Sequence, residues 1–125
     1  MAEPVIGIGV DLVEIDRFRV ALARTPRLVE RLFTDGERAY ALGRRDPTER
    51  FAVRFAAKEA VMKALGVGLG AFSFRDVEVV HEAGGAPVLR LSGQADRLAT
   101  DRGVTQWRLT LTHTQHLAEA VAVAL

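Results

Sequence analysis

The 125-residue chain contains no cysteine, which removes disulfides, thiolate metal centres and cysteine nucleophiles together. It also lacks a surplus of either charge. Lysine and arginine number 17 against 16 aspartates and glutamates, a formal net charge of +1, so no global basicity draws it to nucleic acid or an anionic membrane. Any charged partner must meet a local patch. No stretch approaches the roughly 20 apolar residues that span a bilayer, and the start, Met1-Ala2-Glu3-Pro4, has no basic segment followed by a long apolar run. A cytoplasmic protein with no nucleic-acid and no membrane partner is the expectation. Several phosphate and nucleophile motifs are missing as well. There is no glycine-rich loop ending in lysine and serine or threonine, and Gly7-Ile8-Gly9 lacks the third glycine and following helix of a dinucleotide fingerprint. No serine sits in a nucleophile elbow.

What is present reads as one globular domain, residues 1–125, with 49% hydrophobic and 26% charged residues. Ile6, Ile8, Val10 and Leu12 alternate with Val5, Gly7, Gly9, Asp11 and Val13, which predicts a strand with one apolar and one nearly bare face. The bare face is a track cleared for a ligand, with Asp11 at its end, or for a closely packed helix, with Asp11 capping the next helix. A helix follows over 16–24, with Ile15, Phe18 and Leu22 as its buried side, and a short one over 27–33. Thr34-Asp35-Gly36-Glu37 has capping-box spacing for a helix ending near Gly43. Asp46-Pro47-Thr48-Glu49 opens a long helix that stops at Gly66. Beyond the Gly66-Val67-Gly68-Leu69-Gly70 loop, strands at 76–82 and 87–91 form a hairpin. Ser92 caps a helix ending at Gly103, and strands at 106–113 and 117–125 form a second pair. Alanines 118, 120, 122 and 124 leave room for a helix to lie against one face. The sum is an α+β fold with a mainly antiparallel sheet packed against a long helix.

The long helix carries the chemistry. Glu59 and Lys63 stand four apart, and so share a face, on a stripe otherwise made of Ala52, Phe55, Ala56, Met62 and Gly66. A solvated face would repeat charges at several turns and a core face would carry none, so the stripe reads as half of a site whose small neighbours leave room for a ligand. Asp11 supplies a second carboxylate from another element. Mg²⁺ takes one or two protein carboxylates and completes its shell with water and phosphate oxygens, and a nearby lysine is a usual phosphate partner. The set suits phosphoryl transfer; a modest helix ion pair is the plainer alternative. His113 and His116, three apart in a turn, make a weak metal pair without a third ligand.

Three separated motifs, in order, point further. Gly7-Ile8-Gly9-Val10-Asp11-Leu12-Val13-Glu14-Ile15, Arg54-Phe55-Ala56-Ala57-Lys58-Glu59-Ala60 with Lys63-Ala64-Leu65-Gly66, and Leu111-Thr112-His113-Thr114 resemble the holo-[acyl-carrier-protein] synthase family of phosphopantetheinyl transferases over essentially the whole chain. The resemblance implies transfer of 4′-phosphopantetheine from coenzyme A to a serine of an apo acyl carrier protein, releasing adenosine 3′,5′-bisphosphate. It implies Asp11 and Glu59 as Mg²⁺ ligands and Lys63 at the phosphate under attack. Lys63 or a water beside Asp11 is then the base candidate. Arg54 and His113, with Thr114 beside them, match contacts to the 3′-phosphate end of coenzyme A, with Arg44 and Arg45 as further positive charge. The family also implies a homotrimer with sites at subunit boundaries, for which the alanine and valine strands offer a packing surface, and a carrier-docking helix bearing Arg17 and Arg24. Met62 departs from the family pattern, standing where serine is common, which would remove a polar contact to the donor. Rival readings are another Mg²⁺-dependent phosphoryl transferase and a noncatalytic coenzyme A or nucleotide-binding trimeric module.

Overall fold

The computed structural model describes residues 4–125, so the Met1–Glu3 part of the N-terminal reading lies outside the described residues. The chain begins with β1 (Gly7–Glu14), which runs into α1 (Ile15–Arg24) and then α2 (Leu28–Leu32) and α3 (Asp35–Leu42). The long helix α4 (Pro47–Ala64) follows, then a 3₁₀ turn at Phe74–Asp76, the hairpin β2 (Val77–His81) and β3 (Pro87–Leu91), α5 (Gly93–Asp101), β4 (Trp107–His113) and β5 (Leu117–Ala124). All pairings are antiparallel: β1, β5 and β4 form one sheet in that order, and β2 with β3 a second. The architecture is the expected α+β fold.

Packing of α4 on the larger sheet sets everything else. In register, Gly7 faces Ala124, Gly9 faces Ala122 and Asp11 faces Ala120, so one sheet face carries almost nothing beyond Cβ. Ala118, Ala120, Ala122 and Ala124 are wholly buried there. A Cβ added to Gly7 would lie 1.8 Å from the Ala64 carbonyl oxygen, and one at Gly9 would lie 1.8 Å from that of Ala60. Backbone therefore rests on backbone. Four helical residues rise about 6 Å and two strand residues about 6.6 Å, so the Gly7–Ala64 and Gly9–Ala60 contacts repeat nearly in step. The bare track thus serves a helix instead of a ligand. Ala52, Ala56 and Met62 are likewise buried, so these residues of the Glu59 stripe are core surface, and of its small residues only Gly66, past the helix end, is exposed.

Asp11 does not cap α1. That helix has Glu14 at its N-cap with no side-chain bond. The capping box of Thr34 and Glu37 forms in full, and Asp46 accepts from the Thr48 amide at 3.1 Å to start α4. Ser92 makes no cap bond either; Asp76 accepts from the Gln94 and Ala95 amides instead. A phenylalanine series extends the core outward: Phe33 on Phe51, Phe18 on Phe55 at 5.2 Å between ring centres, and Phe55 on Phe74 at 5.6 Å.

One polar element in this core escaped the sequence reading. Lys58 is fully buried and donates to Glu37 Oε1 at 2.7 Å, to the Phe74 carbonyl at 3.0 Å and to the Val77 carbonyl. Glu37 also accepts from the Thr34 and Val79 amides. This ion pair ties α3, α4 and β2 at one point, and the burial that makes it costly lowers the lysine pKa. Its only sequence signal was a lysine set between the apolar runs Phe55–Ala57 and Ala60–Met62 of α4.

Candidate active site

Asp11, Glu59 and Lys63 come together at the end of the glycine track. Lys63 Nζ donates to Asp11 Oδ1 and to the Val10 carbonyl, each at 3.0 Å. Glu59 and Asp11 share a cleft of about 400 Å³ with Glu14, Arg17, Phe18 and Phe55. Glu59 is half-buried, and its pKa is raised, first by burial and then by the Asp11 charge, with Lys63 opposing. Two carboxylates held close, one against an apolar wall, make a site short of positive charge. That donor set fits a hard cation needing few protein ligands. Among the described residues no group of three or more His, Cys, Asp or Glu side chains is placed to hold a metal, so His113 and His116 form no such centre.

From Glu59 a second, apolar groove of about 620 Å³ runs along Phe18, Phe55 and Phe74 to Leu28, Leu32, Arg31, Leu69 and Ser73. Leu69, in the glycine-rich loop after α4, is strongly exposed at its edge. Along the outer side of α1, Arg17 and Arg24 flank exposed Val20 and line a depression with Asp16, Ala21, Thr25 and Leu28. Arg17 and Ala21 border the carboxylate cleft too, so Arg17 adjoins the acidic site and Arg24 lies farther along the same depression.

Arg54 and His113 lie elsewhere. They line a pocket of about 270 Å³ with Tyr40, Arg50, Val53, His81, Pro87 and Leu111, sharing no residue with the acidic clefts. Five residues separate Arg54 from Glu59, which is about 140° around the helix and 7.5 Å along it. Arg54 is 1% exposed, and burial pulls its pKa down. Nη1 donates to the Arg50 carbonyl at 3.1 Å and Nη2 to His81 Nε2 at 2.8 Å, while Nε has no partner. Tyr40 lies under the guanidinium groups of both Arg54 and Arg44, each about 4.4 Å or closer to its ring centre. His113 Nδ1 approaches Glu49 at 3.5 Å. The Thr114 hydroxyl accepts from the His116 and Leu117 amides, so its visible task is to shape the β4–β5 turn. Tyr40 and His81 went unnoticed in the sequence because a tyrosine and a hairpin histidine give no spacing signal.

Two expectations need correction. Met62 is 2% exposed within the core, so its side chain bears on packing. The alanine side of the terminal strands is taken by α4, and cannot also pack between subunits. The face left open is Ile8, Val10 and Leu12, paired across β1 and β5 with Val123, Val121 and Glu119.

Comparison with known proteins agrees with this fold. Residues 7–124 match the family model of the 4′-phosphopantetheinyl transferase superfamily. The holo-[acyl-carrier-protein] synthase of Desulforudis audaxviator is 48% identical over 97% of this chain and 93% of its own; that of Moorella thermoacetica is 47% identical over 92% and 90%. Among solved structures, the holo-[acyl-carrier-protein] synthase of Neisseria meningitidis superposes with a TM-score of 0.90 at 29% identity, covering 98% of this chain and 99% of that one. The Bacillus anthracis synthase, solved in complex with coenzyme A (3′,5′-ADP), gives 0.80 at 35% identity over 96% of each. With fold and relatives in agreement, the chain belongs to the 4′-phosphopantetheinyl transferase superfamily, among its holo-[acyl-carrier-protein] synthases.

Proposed function

We propose that this chain, acting as one catalytic domain over 1–125, transfers 4′-phosphopantetheine from coenzyme A to a serine hydroxyl of apo acyl carrier protein. The serine oxygen forms a new bond to the pantetheine-side phosphorus as the pyrophosphate bond breaks, and adenosine 3′,5′-bisphosphate leaves. The observation that carries this reading is the convergence of Asp11, Glu59 and Lys63. Asp11 and Glu59 would hold Mg²⁺, which when bound supplies neutralisation of the pyrophosphate charge.

Lys63 meets the phosphate under attack. Its ammonium has three donors, of which Asp11 and the Val10 carbonyl take two, leaving one to turn toward a phosphate oxygen. The arrangement supports transition-state charge stabilisation. The apolar groove beyond Glu59 suits the pantetheine arm. Arg54 and His113, with Thr114 shaping the turn, receive the 3′-phosphate end, for which the carboxylate-free lining of their pocket is suited. Arg17 and Arg24 offer basic docking to the acidic carrier helix. Because acidic and basic pockets lie on different sides of α4, one donor molecule is best held between subunits. A homotrimer packed through the open Ile8, Val10, Leu12, Val121 and Val123 face accounts for that exposed apolar surface. No helix of the described residues is long and apolar enough to cross a membrane, and the proposal includes a cytoplasmic setting.

The test is intact mass of apo acyl carrier protein after incubation with the chain, coenzyme A and Mg²⁺, beside a chelator control. A metal-dependent gain of one phosphopantetheine is expected, and Asp11→Ala or Glu59→Ala should reduce it by at least about a hundredfold. No gain from folded protein that still binds coenzyme A would overturn the reading in favour of a noncatalytic module.

A further inference from the structure

Among the described residues Arg54 is a buried cation with no carboxylate partner. An arginine carries five N–H donors in a rigid fork, and here one goes to a main-chain carbonyl, one to His81, and the Nε donor to nothing. With the guanidinium seated on the Tyr40 ring, the direction of the fork is set by the Arg50 carbonyl on its own helix and by His81, the side-chain partner from another element. That ring is itself held twice: Nδ1 lies 3.0 Å from the Gly85 carbonyl, and the imidazole stacks on Tyr40 at 4.4 Å and 12°. Since a guanidinium only donates, Nε2 must accept, which leaves the proton on Nδ1 for Gly85. Gly85 has φ +85°, a conformation that other residues rarely adopt, so the β2–β3 turn offers its carbonyl in a fixed place. The turn holds the histidine, and the histidine holds the arginine.

Among the described residues His81 is the hydrogen-bond partner of that Nη2. Tyr40 and Arg44 come from α3 and the segment after it, Arg50 from α4, and His113, beside Glu49, from β4. We infer that His81 is a positioning residue that aims the Arg54 guanidinium into its pocket and so sets the preference for donors bearing a ribose 3′-phosphate. The inference rests on the proposed reading of that pocket as the 3′-phosphate end of the donor site. Its chemistry is specific: a neutral acceptor fixes the arginine while leaving its charge unspent, whereas a carboxylate at the same place would neutralise it and compete with the phosphate.

The test measures KM and kcat for coenzyme A and for dephospho-coenzyme A, which lacks the 3′-phosphate, in the wild type, His81→Phe and His81→Gln. Phenylalanine keeps the stack on Tyr40 but presents no acceptor; glutamine offers a carbonyl oxygen near the Nε2 position. His81→Phe should raise the KM for coenzyme A about tenfold, the scale of one hydrogen bond to a charged group, with a change below about twofold for dephospho-coenzyme A and little change in kcat. His81→Gln should retain most of the preference. If His81→Phe stays folded with the wild-type preference, or loses both donors equally, the positioning role is overturned. If the wild type itself shows no preference for coenzyme A, the failure lies in the reading of the pocket.

Discussion

Gly9→Ala should disable the site from two residues away on the same face of β1, because the glycine sets how closely α4 lies on that strand. The added Cβ would stand 1.8 Å from the Ala60 carbonyl oxygen, and relief to beyond 3.0 Å demands that helix and strand part by about 1.2 Å. No side chain can rotate out of the way, since the obstacle is backbone. Overpacking of this kind costs about 1–3 kcal/mol or more. Asp11, two residues along β1, would move away from Glu59 and Lys63 by a similar distance, and misplacement by about 1 Å costs about a hundredfold in rate. The two effects are read separately, by urea unfolding and by carrier-protein mass gain at a temperature where the variant remains folded. Gly68→Ala is the control, because nothing lies within 4 Å of its added Cβ; it should change stability by less than about 0.5 kcal/mol. Wild-type stability and rate in Gly9→Ala would refute the claim that backbone contact positions the carboxylates.

Three further outcomes are expected. Lys58→Met leaves Glu37 buried without its cation and should destabilise the fold by about 3–5 kcal/mol in urea unfolding, with part of the loss recovered in the Lys58→Met, Glu37→Gln double variant. Glu59→Gln should abolish transfer while raising the melting temperature of the metal-free chain. The sign follows from the raised Glu59 pKa: the charged form is disfavoured by folding, so its penalty is absent below the ordinary glutamate range, grows as pH rises to the raised value and then stays constant. The gain in Glu59→Gln should follow that pH dependence, and a gain that is flat or largest in acid would contradict it. Arg24→Glu should raise the KM for carrier protein and weaken its salt dependence with little change for coenzyme A; equal losses for both substrates would remove Arg24 from the docking surface.

Most secondary elements were legible because they are written in local chemistry. The Thr34–Glu37 box, the Asp46-Pro47 start and the Gly66 stop announce α3 and α4, and each forms where it was read. Asp11, Glu59 and Lys63 were legible as charges that an apolar face does not explain. What local pattern could not tell was which of the two faces of β1, the apolar or the nearly bare, is covered. Ile8, Val10 and Leu12 look like the buried side of β1, yet they remain open while the glycines meet α4. That choice depends on the match of small residues on three elements, which no single window contains. The Lys58–Glu37 pair and the Arg54–His81–Tyr40 cluster were invisible for the same reason: their members are 21, 27 and 14 or more residues apart in sequence and share no periodicity.

The glycine and alanine face explains why the acidic site and the basic pocket are held so far apart around one helix. Backbone contact with β1 and β5 occupies one side of α4, so functional side chains must leave it from the flanks: Glu59 and Lys63 toward β1 and α1, Arg54 toward α3 and the β2–β3 hairpin. The acidic flank lies beside the open end of β1, whose outward face is the exposed apolar surface. In the homotrimer proposed above, a second copy covering that surface would complete the divided site if its basic pocket met the acidic cleft. Charge of opposite sign would then meet across the boundary, matching a ligand with a metal-neutralised pyrophosphate at one end and an uncompensated phosphate at the other. On this arrangement the apolar face and the divided site are one feature, since the same strand that presents Asp11 inward presents Val10 and Leu12 outward.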